Sequence, residues 1–199
     1  MEEGFYRKYK RLLEALPDVA ECAEGKLVLI GGTALALFHL KHRISVDLDF
    51  APLRGDEARA KEALKGCLSK KGYRTQRTAY KNQFAIQFED ASIKVEIFKP
   101  KRKVGGYDEH ALGNSMLKVA ALDELLRMKI EAYADRKEAR DLFDCVFIMK
   151  RKGDLSGLGR LIRKYGLPET MEEMRKTVWK EEDYEFFAKV VEDASKASS

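Results

Sequence analysis

Two aspartates separated by a single residue, Asp47 and Asp49, stand in the run Val46-Asp-Leu-Asp-Phe50. In an extended chain residues i and i+2 point the same way, so both carboxylates share one face and Val46, Leu48 and Phe50 the other. Hard oxygen ligands at that spacing suit a divalent cation; a solvated strand face would carry the same pattern. Upstream, Gly31-Gly32-Thr33 interrupts an apolar run between Leu27-Val-Leu-Ile30 and Ala34 to Leu40. Glycines at a strand-to-helix junction let backbone approach a phosphate, and the free N–H groups of a helix start attract anions; a plain tight turn is the simpler reading.

Three more groups extend this set. Ser92 to Phe98 alternates, placing Glu96 with Lys94 and Phe98 on the face opposite Ile93, Val95 and Ile97. Glu96 is either a third carboxylate of the cluster or a surface glutamate. Lys129 falls inside the helical stripe Leu122, Leu125, Leu126, Ile130 and Tyr133, where it either snorkels to the edge or aims its ammonium at a bound anion. The next helical stretch carries Arg140, Asp141 and Asp144 beside the stripe Ala139, Leu142, Phe143, Val146 and Phe147; Arg140 and Asp144 also suit an i,i+4 ion pair. Clustered carboxylates holding divalent metal, a glycine turn for phosphates and a lysine to offset their charge together fit in-line attack on a nucleoside triphosphate. Such a reaction needs no covalent protein nucleophile, and no Cys/His or Ser/His pair stands out.

The elements that must position these groups fall in two parts. Phe5, Tyr9, Leu12, Leu13 and Leu16 recur at helical spacing and Pro17 closes the run, predicting a helix over residues 3–16. Leu27–Ile30 and Val46–Phe50 read as strands. Ala60, Leu64, Cys67 and Leu68 mark a helix that Gly72 can cap, followed by a meander over 73–80, 83–88 and 92–98. From Leu122 the pattern is helical to a frayed tail at 195–199. The expected class is therefore α+β: a mixed sheet with flanking helices over residues 1–105, joined through Gly105-Gly106 to a helical C-terminal part over 106–199 that completes the site.

Composition sets outer limits. The 199 residues are 45% hydrophobic and 36% charged, an ordinary globular balance rather than a disordered or fibrous one. A net charge of +5 permits a polyanionic partner without requiring one. The longest apolar stretch, 27–40, falls short of the ~18 residues of a membrane span, and the basic, acidic-led N-terminus lacks the texture of a secretory signal, so a cytoplasmic protein is expected. Cys22, Cys67 and Cys145 are odd in number and widely spaced, predicting buried thiols rather than a disulfide framework or zinc site. His39, His42 and His110 read as structural, and Trp179 with Phe186-Phe187 as core of the terminal helices.

At the site residues the chain resembles the nucleotidyltransferase superfamily, and within it the AbiEii-type toxins of abortive-infection (type IV) toxin–antitoxin pairs. Gly31-Gly32-Thr33-Ala34-Leu35 through Arg43-Ile-Ser45-Val-Asp47-Leu-Asp49-Phe50 resembles that family's GGTxL…RxSxDLDF signature. Lys129-Ile-Glu-Ala132, Arg136 and Arg140-Asp141-Leu-Phe-Asp144 resemble its KxxA…R…RDxxD segment. The resemblance implies a nucleotidyltransferase-like sheet, with Asp47 and Asp49 as magnesium ligands and Glu96 as the third carboxylate of a two-metal site that Mn²⁺ can also serve. It implies that Gly31, Gly32 and Thr33 contact phosphates, and that Arg43 and Ser45 brace the turn or touch phosphate. Lys129, Arg140, Asp141 and Asp144 would belong to the later nucleotide-site motifs. The implied partners are an NTP, an RNA or tRNA end or a protein as hydroxyl acceptor, and a cognate antitoxin.

Other chemistries fit less well. A phosphatase using the first aspartate as nucleophile wants DxDxT, and here Ala51 follows Phe50. A DxD glycosyltransferase would need upstream strand–helix repeats. The rival from outside enzymology is a catalytically inert nucleic-acid-binding or interaction module that keeps the fold, drawing on basic clusters at Arg74, Arg77 and Lys81, at Lys99 to Lys103, and at Lys150-Arg151-Lys152.

Overall fold

In a computed structural model, which describes residues 3–196, helix α1 (Glu3–Ala23) leads into strand β1 (Leu27–Ile30). The short helix α2 (Gly31–Ala34) and a π-helical turn (Leu35–His39) follow, then β2 (Leu48–Pro52), α3 (Glu57–Lys70), β3 (Arg74–Arg77), β4 (Gln83–Gln87) and β5 (Ser92–Ile97). A hairpin of β6 (Tyr107–Leu112) and β7 (Ser115–Ala120) precedes α4 (Leu122–Arg136), α5 (Ala139–Lys152), α6 (Gly157–Tyr165), a 3₁₀ turn (Glu172–Lys176) and α7 (Glu181–Lys196). One mixed sheet runs in the order β3-β4-β5-β2-β1-β7-β6. In it β2 lies parallel to β5 and antiparallel to β1, and β1 lies parallel to β7.

The central strands fall close to where alternation puts them, except that β2 begins at Leu48 and not Val46, which leaves Asp47 just ahead of it. Leu48, Phe50, Ile93, Val95 and Ile97 are buried in one cluster with Leu12, Leu16 and Val19 of α1 and Leu64 and Leu68 of α3. The residues between them, Asp49 on β2 and Lys94 and Glu96 on β5, are thereby turned to the opposite face. A second cluster, including Tyr133, Leu142, Phe143, Leu161 and Phe187, fills the space between α4, α5, α6 and α7. Helix α4 joins the two, with Leu125 in the first and Tyr133 in the second.

Several local expectations are corrected. Pro17 does not end α1, which runs on to Ala23. A mid-helix proline costs about 3 kcal/mol through its missing N–H, but Val19, Ala20, Cys22 and Ala23 are all buried in the core and offset it. Residues 107–120, assigned to the helical part by sequence, form β6 and β7, with Gly113 at φ +62° making the turn. The largely exposed Tyr107–Leu112 is an edge strand and carries no alternating apolar signal. Cys22 and Cys67 are joined in a disulfide, because α1 and α3 lie side by side although 45 residues separate the two; Cys145 stays free and buried. Trp179 is 39% exposed and meets Tyr9 edge-on at 5.3 Å rather than entering the core. Ser195 closes the last turn of α7 instead of fraying, and residues 197–199 lie outside the described residues. Among the described residues no helix is long and apolar enough to cross a membrane.

Candidate active site

The ends of β1, β2 and β5 and the inner face of α4 enclose a cavity of about 400 Å³. Gly31 and Gly32, Asp47 and Asp49, Lys94 and Glu96, Lys129 and Arg136 all line it, together with Arg43, Ser45, Phe98, Met128 and Arg140. Parallel pairing of β2 with β5 sets Asp49 beside Glu96, and continuing that register by one step sets Asp47 beside Lys94. Three carboxylates and one ammonium thus share one face at the end of two neighbouring strands.

The glycine turn is built for close approach. Gly31 has φ +75°, and a Cβ placed on it would lie 2.4 Å from Asp49 Oδ2; on Gly32 it would meet Arg43 Nη2 at 2.6 Å and Ser45 Oγ at 2.8 Å. The Asp49 carboxylate and the Arg43 guanidinium therefore pack directly against bare backbone. Thr33 is fully buried; its hydroxyl donates to the Asp47 carbonyl and lies 3.0 Å from Ser45 Oγ. Thr33 therefore braces the Asp47 segment from behind instead of reaching the cavity.

Asp141 and Asp144 are likewise fully buried and do not line the cavity. They form its underpinning. Asp144 accepts Arg43 Nε and Nη2, each at 2.7 Å, His42 Nε2 at 2.7 Å and Lys129 Nζ at 2.8 Å. Asp141 accepts Lys129 Nζ at 3.1 Å and a two-pronged bond from Arg136 at 2.7 and 2.9 Å. Burial pushes both carboxyls up, yet the facing cations win: Arg43 and Lys129 hold Asp144 well below the usual range, and Arg136 and Lys129 lower Asp141. Lys129 neither snorkels free nor waits unpaired; its ammonium is fixed between two aspartates at the cavity wall. Arg140 does not pair with Asp144 but bonds Glu138 at the mouth.

At the cavity floor, burial pushes the Asp49 carboxyl up to about 6; Lys94 opposes that rise, while Asp47 and Glu96 add to it. Lys94 Nζ lies 3.1 Å from Asp47 Oδ2 and 3.8 Å from Glu96 Oε2. Glu96 also accepts the Asn82 side-chain amide at 2.9 Å and that of Gln83 at 2.8 Å. On the far side of the wall formed by Arg43, Ser45 and Asp47 lies a second cavity of about 420 Å³, lined also by Phe5, Glu138, Arg140, Glu173 and Met174.

Sequence reasoning does not single out Lys94 or Arg136 as site residues. Lys94 carries a usable signal, since it shares the strand face of Glu96; for Arg136 the only signal is its place in the second motif. Two of the three histidines have polar partners: His42 bonds Asp144, and His39 Nε2 lies 3.0 Å from the Ala120 carbonyl.

Residues 11–197 match the family model described as nucleotidyl transferase AbiEii toxin, type IV TA system. The chain belongs to the AbiEii family. Its enzyme class is accordingly that of a nucleotidyltransferase. No curated protein matches the AbiEii chain described here. Among solved structures it is similar to a candidate nucleotidyltransferase from H. pylori, with a TM-score of 0.52 and 16% identity over 100% of this chain and 97% of that one. It is also similar to an antigenic nucleotidyltransferase-like protein from Paracoccidioides brasiliensis (TM-score 0.51, 17% identity, 71% of this chain and 77% of that one). The antibiotic-resistance factor ANT(2'')-Ia gives a TM-score of 0.51 at 10% identity over 79% of this chain and 90% of that one. At these identities the likenesses show the fold, a nucleotidyltransferase sheet with flanking helices.

Proposed function

We propose that this AbiEii chain binds a nucleoside triphosphate with Mg²⁺ in the 400 Å³ cavity and transfers a nucleotidyl group to a hydroxyl acceptor. The observation that carries this reading is the meeting, in one cavity, of the Asp47/Asp49 pair, the bare Gly31-Gly32 backbone and a cationic wall of Lys129, Arg136 and Arg140. Asp47 and Asp49 suit Mg²⁺, which is commonly held by one or two carboxylates with the rest of its shell from water and substrate phosphate. Among the described residues no three His, Cys, Asp or Glu side chains converge tightly enough to hold a metal by themselves. Glu96, engaged by Asn82 and Gln83, therefore serves best as a carboxylate that orients the cluster. When bound, the metal offsets phosphate charge and aligns the reacting groups.

The protein's own part is positioning and charge. Gly31 and Gly32 let the Asp49 carboxylate and the Arg43 guanidinium close in on the backbone at the cavity wall, while Lys129, held by Asp141 and Asp144, offers a fixed positive charge to the triphosphate tail. The acceptor oxygen bonds to the α-phosphorus as the bond to diphosphate breaks, and the hydroxyl proton is released. The second cavity, which shares Arg43, Ser45, Asp47 and Arg140 with the first, offers room for an acceptor on the Asp47 side. The exposed basic clusters around Arg74, Lys101 and Arg151 support an RNA end, tRNA included, as that acceptor. A cognate antitoxin in the cytoplasm is the partner expected for a type IV toxin.

The test is incubation of the chain with each labelled NTP, Mg²⁺ and total cellular RNA or protein, beside Asp47→Ala/Asp49→Ala. Label should appear on an RNA or protein band and vanish in the double variant. Transfer that survives the substitution would take the chemistry away from Asp47 and Asp49 and sink the proposal; no transfer with no Mg²⁺-dependent NTP binding would sink it in favour of an inert binding module.

A further inference from the structure

We infer that Lys94 is a resident counter-ion of the carboxylate cluster, which a divalent cation must displace before Asp47 and Asp49 can hold it. The inference rests on the metal-dependent reading above and adds a residue to it. On β5, Lys94 lies two positions before Glu96 and so on the same face, and it reaches Asp47, the residue that immediately precedes β2. Its ammonium lies 3.1 Å from Asp47 Oδ2, an oxygen a metal would use, and 3.8 Å from Glu96 Oε2.

Two like-signed cations cannot share that space. A divalent ion bound to Asp47 at the ~2.1 Å of a magnesium–oxygen bond would lie within a few ångströms of the ammonium if Lys94 stayed in place. Lys94 can leave: its side chain is 39% exposed, and four methylenes give the head room to swing toward the cavity mouth. The other cations of the cavity are held elsewhere, Lys129 and Arg136 by Asp141, Arg43 by Asp144 and Arg140 by Glu138. Lys94 alone of these reaches Asp47. Without a metal it offsets repulsion among Asp47, Asp49 and Glu96; when a metal arrives its departing ammonium is free to meet the incoming phosphates. The site then favours metal and nucleotide together over metal alone.

Mn²⁺ titration followed by electron paramagnetic resonance tests this on the full chain without reference to turnover. Lys94→Met should bind Mn²⁺ about tenfold more tightly than wild type, as expected from removing one charge a few ångströms away. Lys94→Gln should tighten it likewise, which guards against misfolding of one variant, and Lys94→Arg should restore the wild-type affinity or weaken it further. Unchanged or weaker Mn²⁺ binding in both neutral variants, with Asp47→Asn still abolishing it, would overturn the role of Lys94 and leave the metal reading standing. Absence of Mn²⁺ binding in wild type and all variants alike would remove both.

Discussion

Arg43 Nε and Nη2 each donate to one oxygen of Asp144 at 2.7 Å, a parallel pairing between residues 101 positions apart in the chain. The aspartate is wholly buried and the arginine 6% exposed, so the pair is screened from water. It fixes the segment between the glycine turn and the DxD strand to helix α5.

Breaking that pair is expected to be severe. Asp144→Ala leaves Arg43 and Lys129 short of a buried partner, and loss of one member of such a group typically costs about 3–5 kcal/mol. Urea unfolding should show the midpoint falling accordingly, with nucleotide binding reduced in whatever folded fraction remains. A change below about 1 kcal/mol would mean the cations find water or other acceptors.

Substitution in the glycine turn should strike binding more than folding. At Gly32→Ala the new methyl lies 2.6 Å from Arg43 Nη2 and 2.8 Å from Ser45 Oγ, so both side chains must shift by several tenths of an ångström. Gly31→Ala adds a left-handed φ of +75° and a clash with the Asp49 carboxylate. Strain of about 1–3 kcal/mol is expected at each, with NTP affinity by calorimetry falling at least tenfold. Wild-type affinity in Gly31→Ala would show that phosphate does not lie there.

Acid should weaken the fold in a window set by two histidines. Burial holds His42 and His39 below the ordinary histidine range, His42 against the pull of Asp144. Below an unfolded value of about 6.5 the unfolded chain takes up protons that the folded chain refuses at both histidines, which lowers stability as pH drops from 7 toward 5.5, while Asp49, raised by burial to about 6, takes up its proton first in the folded chain and offsets part of that loss. Asp144, lowered well below the usual carboxylate range, adds stability that is lost only under about pH 4, outside that window. Thermal melts at pH 7.5 and 5.5 should show a drop for wild type that shrinks in His42→Asn.

Removing the Cys22–Cys67 link should also register. It closes a loop spanning 45 residues, for which a chain-entropy estimate gives about 4 kcal/mol as an upper figure. Cys22→Ser/Cys67→Ser, or wild type in reductant, should melt lower than the oxidised protein. Identical melts would show that the packing of α1 on α3 carries the stability alone.

Residues whose chemistry is written in local periodicity are legible in the amino-acid sequence. Asp47, Asp49 and Glu96 declare their shared face by alternation, and Lys129 stands out as a charge inside an apolar stripe. The AbiEii signature joins them to Gly31 and Gly32. What stays hidden depends on long-range packing. Nothing near Asp144 in the sequence points to Arg43 or His42, so an i,i+4 partner in Arg140 looks adequate. The Cys22–Cys67 pairing follows from the docking of two helices, and Lys94 becomes conspicuous only when β5 pairs in register with β2. Hairpin β6–β7 escapes because its outer strand buries too little to leave a pattern.

The Arg43–Asp144 anchor also bears on when the protein becomes active during its own synthesis. The glycine turn and the two aspartates of the DxD strand have been made by residue 50, but the carboxylate that seats Arg43 arrives only in helix α5. A growing chain still shorter than this lacks both the seat for Arg43 and the two aspartates that hold Lys129. A frameshift or early stop anywhere before α5 therefore removes Asp141 and Asp144 together, and with them the contacts that fix Arg43 and Lys129 beside the DxD aspartates.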